Sequence, residues 1–391
     1  MVEMASKPNQ SYDYPSEWKQ LFVGDLVSIT TGSRNTQDNN PEALFPFFVR
    51  SQKVERIDGY SFDKEAVLTA GDGVGTGKIF HYINGKFDAH QRVYILSNFV
   101  DELHGKYFYW QFINLFYDRI MSMTAKSSVD SVRREMISGM SFPLPRLKEQ
   151  QAIAEALSDA DALIASLEKL IEKKQNVLFQ FHNYLFDNTP ISAEVTLNSL
   201  GDFYGGLTGK TAVDFGVGLS SFVNFKSVID YHEVNVADVS RVYISRFEIQ
   251  NLVKKGDLLF NISSETPDEV AQFSIVPFEK PDLYLNSFCA GFRCHQRQYD
   301  FAKLLNYLLQ TNVIRSSIIQ LAQGSTRYNL SPRLLGSIIV PLPDKNIMAT
   351  IVHSLDDFYN EIKLLSENLI KAKKVKAGMM QELLMGRTRL I

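Results

Sequence analysis

The run Gly71-Asp72-Gly73-Val74-Gly75-Thr76-Gly77-Lys78 has the glycine density and terminal lysine of a loop that cradles phosphate. A P-loop also needs a Gly five residues before the Gly of its Gly-Lys pair, and a Ser or Thr after the Lys to hold magnesium. Asp72 and Ile79 occupy those positions. The dinucleotide fingerprint fails as well, because Thr76 replaces a required glycine and residues 79–83 read as strand where a helix must begin. A hairpin, or a loop lying close to a polyanion backbone, is the expected outcome.

Other chemistries fail on similar grounds. Methyl transfer to adenine needs an Asn/Asp-Pro-Pro-aromatic motif, and Asn40-Pro41-Glu42-Ala43 is the nearest approach. A magnesium nuclease needs spaced carboxylates. Pro267-Asp268 and Pro281-Asp282 have no acidic-x-Lys element close behind, and Glu172-Lys173-Lys174 falls on the polar face of a helix. Cys289 and Cys294 form no CxxC pair, and the seven histidines make no His-x-x-x-His pair. No catalytic site, metal site or cofactor is therefore expected. The cysteines read as buried or half-buried free thiols in a reducing, cytoplasmic setting.

What remains is polar and basic. Lys126-Ser127-Ser128 with Arg133-Arg134 has a counterpart in Gly324-Ser325-Thr326-Arg327-Tyr328-Asn329. Hydroxyls and arginines at loop tips suit phosphate contact and the reading of base edges, although a solvated loop has the same composition.

Those two clusters belong to a larger repetition. Gly24-Asp25 and Thr31-Gly32 recur as Gly201-Asp202 and Thr208-Gly209, at an offset of 177 (201 − 24). Pro143-Leu144-Pro145 recurs as Pro341-Leu342-Pro343 at an offset of 198 (341 − 143), as do Ser127/Ser325, Leu157/Leu355 and Asp159/Asp357. The growth of 21 (198 − 177) places insertions in the second copy. After each Pro-Leu-Pro, apolar residues step by three and four: Ile153, Leu157, Ile164, Leu167, Ile171 and Leu178 in the first copy, and Ile351, Leu355, Phe358, Ile362, Leu365 and Leu369 in the second. Lys174 and Lys376 are the polar interruptions. A period sustained over about five heptads reads as coiled coil, and two such helices in one chain most simply pair with each other. Asp344 is placed to cap the second helix and Gly386 to stop it.

The expected organisation has four parts. Residues 1–146 form a first mixed α/β domain, 147–187 a long helix, 188–344 a second mixed α/β domain, and 345–391 a second long helix with a tail. The two domains are joined by two long helices that pair as a coiled coil, and the whole forms an internal repeat. Within the domains, residues 92–96 and 239–244 read as strands, the first after a turn at Asn84-Gly85, while residues 107–121 and 301–321 read as helices. Trp18 and Trp110 read as core.

Composition is that of a globular protein: 391 residues, 45% hydrophobic and 22% charged. No apolar run approaches the roughly 18 residues of a membrane span, and a polar N-terminal stretch argues against a secretory signal. The net charge of −3 counts against a stand-alone nucleic-acid binder, which usually carries a basic excess.

Taken together these residues resemble the specificity subunits of type I restriction-modification systems. The resemblance rests on Gly71–Gly77 followed by the run from Asn84 to Tyr94, on Pro-Leu-Pro followed by Glu149-Gln150-Gln151-x-Ile153, and on the C-terminal run from Met379 to Gly386. In the second copy it rests on the runs from Lys255 to Pro267 and from Leu285 to Arg293. Ile347-Met348-Ala349 departs from the first copy's Glu149-Gln150-Gln151.

The resemblance implies two target-recognition domains that each read half of an interrupted site in double-stranded DNA. It also implies that the two helices form an antiparallel coiled coil, with a pseudo-twofold internal repeat, that spaces the domains and docks two methyltransferase subunits. Restriction (motor-nuclease) subunits would join that core; the composition already leaves no membrane partner. Adenine flipping, methyl transfer and cleavage would belong to the partners, which accounts for the missing motifs. The DNA-contacting set would be Ser33, Arg34, Lys78, His90, Arg92, Lys126, Ser127, Ser128 and Arg133 in the first domain. In the second it would be Lys210, Thr211, Ser263, Ser264, Arg293, Ser325, Thr326, Arg327 and Asn329. Two alternatives stay open: a subunit of a methylation-only or fused restriction-methylation system, and a coiled-coil scaffold without a DNA role.

Overall fold

The structure is a computed structural model and describes residues 13–123 and 131–390. The chain divides into two compact units, one holding the chain up to Lys169 together with Ser366 onward, the other Leu170–Leu365.

In the first unit six strands form one sheet: β1 (Ser28–Thr31), β2 (Phe45–Phe48), β3 (Glu55–Ile57), β4 (Phe62–Ala70), β5 (Phe80–Ala89) and β6 (Val93–Ser97). Their order is β1-β6-β4-β5-β2-β3, antiparallel except where β2 runs parallel to β5. Strand alternation sorts the side chains: Val67 and Leu96 face one core while Ala66, Leu68 and Ile95 face another. Helix α1 (Gly105–Ser122) covers the first of these with Tyr107, Phe108, Phe112 and Phe116, all fully buried. Trp18 and Trp110 join the same core.

Asn84-Gly85 is not a turn. Both residues lie inside β5, opposite Glu65 and Lys64 of β4. Asn-Gly favours a tight hairpin locally, but the unbroken β4/β5 register from Phe62↔Phe87 to Thr69↔Phe80 outweighs that preference. The chain reverses instead in the glycine-rich segment 71–79 and at His90–Arg92. Gly73 and Gly77 take φ of +83° and +71°, which L side chains rarely adopt.

In the second unit β7 (Gly201–Gly205), β8 (Phe215–Val223), β9 (Ser240–Val242), β10 (Leu258–Asn261), β11 (Phe273–Ile275), β12 (Leu283–Leu285) and β13 (Cys289–Cys294) form two sheets. Their orders are β7-β13-β10-β11 and β9-β8-β12, with β8 parallel to β12. The strand expected over 239–244 is thus only three residues long. The helix expected over 301–321 is two, α3 (Tyr299–Leu308) and α4 (Asn312–Leu321). They break at Thr311, which is extended at ψ 149° and turns its hydroxyl onto Leu308 O. Cys289 and Cys294 are buried free thiols, and burial pushes both up to about 12.

The repeat is real but its first offset is not 177. A single helical turn, Val23–Leu26 or Leu197–Leu200, precedes β1 or β7, and the offset is 174 (197 − 23). Gly32 N–H then donates to Val93 O at 3.3 Å, and Gly206 N–H to Cys289 O at 3.2 Å. A Cβ on Gly32 would stand 1.9 Å from Ala89 O, and one on Gly206 2.0 Å from Asn286 O, so glycine is required at both. Gly24 lies within the helical turn while Gly201 opens a strand, so that pair of dipeptides matches by composition alone. The offset of 198 holds further on, where Val132 N–H meets Gly71 O (2.7 Å) and Leu330 N–H meets Ile262 O (3.0 Å). The second copy therefore carries 24 more residues over this span (198 − 174), not 21.

Each Pro-Leu-Pro lies in or at the end of a short edge strand. Ser141–Leu144 pairs with Lys19–Phe22, and Ile339–Pro343 with Ile191–Thr196. Proline, lacking an N–H, suits such an edge. Helix α2 (Leu147–Asp187) follows the first strand and helix α5 (Lys345–Leu383) the second.

The two long helices pack together and antiparallel, as their contacts in each unit establish. In the first unit Ile153, Ala154 and Leu157 are buried in one core with Met380, Leu383 and Leu384, while Asp161 meets Lys376 and Glu168 meets Lys373 (2.7 Å). In the second, Lys174 meets Glu361 (2.8 Å) and Phe181 packs on Phe358 (5.2 Å between ring centres). Ile164, Ile171, Leu178, Ile351 and Leu355 are buried, and Leu167, Phe358, Ile362, Leu365 and Leu369 half-buried. Both lysines that interrupt the apolar stripe are answered by a carboxylate of the other helix. Asp344 Oδ1 accepts from Asn346 N–H (2.8 Å) at the start of α5. Gly386, at φ +67°, ends it, with Arg387 N–H on Glu382 O (2.9 Å).

Candidate nucleic-acid interface

In the first unit, loops that are distant in sequence meet beside the His90–Arg92 turn. Gly71 N–H donates to Arg92 O (2.8 Å) and Gln91 N–H to Arg34 O (2.9 Å), while Val132 N–H ties the segment before Pro-Leu-Pro to Gly71. Ser33, Arg34, His90, Arg92 and Arg133 are thereby gathered. Ser33 and Arg133 are exposed, and Arg133 has no side-chain partner among the described residues. Arg34 Nε holds Asp88 Oδ2 (2.9 Å), a fully buried carboxylate that also accepts from Ser61 Oγ (2.7 Å). Lys78 is exposed at the far end of the glycine-rich loop, near the Tyr117 ring. Lys126, Ser127 and Ser128 lie outside the described residues.

At the centre stands a charged triplet, of which the expected set held only Arg92. Asp72 accepts from Arg50 Nη1 through one carboxylate oxygen (2.7 Å) and from Arg92 Nη1 through the other (2.8 Å). His90, buried beside it, accepts from Arg92 N–H through Nδ1 (3.0 Å). Burial, seconded by the Arg50 charge, holds its imidazole below the usual histidine range, which keeps it neutral and able to accept. No local motif announces Arg50. Asp72 was visible only as the residue that spoils a P-loop.

In the second unit the same construction recurs with different side chains. Ser263 and Ser264 pair with Asn329 and Tyr328, and Gln323 and Asn329 close a loop whose tip exposes Ser325, Thr326 and Arg327. Ser264 Oγ donates to Glu269 (2.9 Å). The turn equivalent to His90–Arg92 is Asn286–Phe288, with Phe288 55% exposed.

The remaining three residues of the expected set hold structure. Arg293 grips the buried Asp257 with two bonds (2.8 and 2.7 Å), donates to Leu252 O and lies over the Tyr204 ring. Lys210, its side chain only 4% exposed, pairs with Glu248. Thr211 caps a short turn through Asp214, whose carboxyl is held below its ordinary range chiefly by the Thr211 backbone N–H. Among the described residues no group of three or more His, Cys, Asp or Glu could hold a metal ion, and no helix is long and apolar enough to cross a membrane.

The chain matches the type I restriction modification DNA specificity domain over residues 15–175 and again over 220–374. It belongs to that family. The two matches fall on the two copies of the repeat, and the chain is accordingly a DNA specificity subunit, itself non-catalytic.

The EcoDI specificity subunit of Escherichia coli is 29% identical over 170 residues, which is 43% of this chain and 36% of that protein. The MjaVIII specificity subunit of Methanocaldococcus jannaschii is 22% identical across 96% of this chain and 94% of its own. The type I restriction-modification S subunit of M. genitalium shares the fold at a TM-score of 0.64 and 16% identity, covering 96% of this chain and 97% of that one. A chain from a structure of type I system complex assembly gives 0.54 at 13% identity, covering 95% and 99%. Family membership removes the scaffold alternative.

Proposed function

We propose that this specificity subunit reads a bipartite, interrupted sequence in double-stranded DNA, one half-site through the loop cluster of each unit. The observation that carries the reading is the loop cluster built twice on the same backbone scaffold. Each copy has a side-chain-braced turn beside β6 or β13, a loop leaving β4 or β10, and a segment before Pro-Leu-Pro hydrogen-bonded to that loop. A scaffold repeated with different side chains suits two half-sites of different sequence.

The long helices set the gap between the half-sites and dock two methyltransferase subunits, with restriction subunits completing a restricting complex in the cytoplasm. Partner surfaces would supply the positive charge that a chain of net charge −3 lacks. The test is methylome sequencing of cells carrying the subunit with its methyltransferase. Exchanging residues 15–146 for the matching part of a relative should change one half-site and leave the other half-site and the gap alone. A change in both halves, or in the gap only, would overturn the division of labour.

A further inference from the structure

The two copies can be compared position by position where backbone hydrogen bonds fix the equivalence. His90 corresponds to Asn286 and Arg92 to Phe288, because each turn closes with the same pair of bonds. Val93 N–H meets His90 O (2.9 Å) where Cys289 N–H meets Asn286 O (3.1 Å). Arg92 N–H meets His90 Nδ1 where Phe288 N–H meets Asn286 Oδ1. Asp72 corresponds to Ser263, since each bridges to the residue just before Val132 or Leu330. What supports the backbone is thus repeated, while Asp72 and Arg92 become Ser263 and Phe288.

The Arg50–Asp72–Arg92 triplet is absent from the second unit, so it is not needed to build the fold. It is also poorly suited to generic phosphate attraction, because the carboxylate between the guanidinium groups cancels one of their two charges. What the carboxylate does is orient. Arg92 has a side chain 61% exposed, one Nη1 pinned by Asp72, and no further partner for its remaining N–H groups among the described residues. A planar fork held at one corner, on a turn braced by His90, matches the paired O6 and N7 acceptors of guanine in the major groove.

Resting on the DNA-reading role proposed above, we infer that Arg92 reads a guanine in the half-site of the first unit, with Asp72 and Arg50 as its positioning residues.

The experiment uses the subunit in complex with its methyltransferase. The methylome first defines the wild-type motif, and the exchange of residues 15–146 identifies the half-site of the first unit. Arg92→Ala, Arg92→Lys and Asp72→Asn are then compared by methylome and by competition binding at two salt concentrations, with unfolding midpoints confirming a folded chain. Arg92→Ala and Arg92→Lys should each relax one guanine position of that half-site, lowering discrimination on the order of 5- to 150-fold. The second half-site should stay as it was. Asp72→Asn should relax the same position, an effect that mere loosening of the fold would not confine to one base.

A wild-type half-site without guanine would overturn the inference. So would a uniform loss across all sequences with a salt slope shallower by about one, the mark of a phosphate contact. An unchanged motif in all three variants would do the same. A wild-type complex yielding no bipartite motif would instead overturn the proposed function itself.

Discussion

His90 and Asn286 occupy the same place in the two copies of the repeat, and each accepts a hydrogen bond from the backbone N–H two residues on, at 3.0 and 2.8 Å. An imidazole and an amide thus perform one task, bracing a turn whose third residue faces the loop cluster. His90→Asn should therefore preserve the fold and the first half-site. His90→Leu, which leaves the Arg92 N–H unanswered, should cost about 1 kcal/mol and blur that half-site. Unfolding midpoints and methylomes of the two variants check this, and equal behaviour of Asn and Leu would count against the brace.

A buried histidine should make the fold sensitive to acid. His182, buried in the second unit with Nε2 on Tyr307 O (3.0 Å), is lowered by burial from 6.5 to about 4. Above 6.5 both folded and unfolded states are neutral and the full stability is present. Between 6.5 and about 4 only the unfolded chain takes up the proton, so stability is lost as the pH falls. The expected loss is about 2 kcal/mol between pH 8 and pH 5. His182→Gln should flatten the pH dependence of the melting midpoint, and an unaltered slope would show that the acid sensitivity lies elsewhere.

The helix pair should be sensitive to its apolar seam and tolerant at its ion pairs. Leu355 is fully buried and Leu355→Ala should cost about 2–5 kcal/mol. Lys174 and Glu361 are 30% and 46% exposed, so Lys174→Ala should change stability by no more than about 1 kcal/mol. Denaturant titration ranks the two, and a reversed order would contradict the packing described.

The exposed tip at Arg327 gives a readout for the second unit. Arg327→Ala should weaken binding of the complex without touching the first half-site. Relaxed choice at one base of the second half-site marks base contact, and a uniform loss with a salt slope reduced by about one marks a phosphate contact. If neither binding nor its salt dependence moves, the tip is solvated surface.

A fourth-residue ruler test addresses the helices. The link between α2 and the strand Ile191–Thr196 is three residues, and that strand is held in register by Ile339–Pro343. Extra residues placed in the link would loop out. Four residues inserted in α2 after Lys169, matched by four in α5 after Leu365, lengthen each helix by about 6 Å. Both half-site sequences should survive, with the gap longer by about one or two base pairs at roughly 3.4 Å each. Altered base identity would contradict the proposed role of the helices.

The features written in local pattern were legible in the chain itself. A three-and-four apolar step needs only neighbouring residues to declare itself, so α2, α5 and their seam could be read, as could the duplication and the missing catalytic motifs. The capping of α5 by Asp344 and its arrest at Gly386 were equally local. Tertiary structure decided everything that depends on partners far apart in sequence. Strand pairing overrode the turn preference of Asn84-Gly85, and the glycines forced by close backbone approach, Gly32 and Gly206, moved the repeat offset to 174 (206 − 32). Arg293 stood in the expected DNA-contacting set, and its grip on Asp257, 36 residues earlier, shows only in the fold. Asp72 looked like a defect until Arg50 and Arg92 closed on it from 22 residues before and 20 after. A side chain's task is set by what surrounds it in space, and a single sequence records only what precedes and follows it.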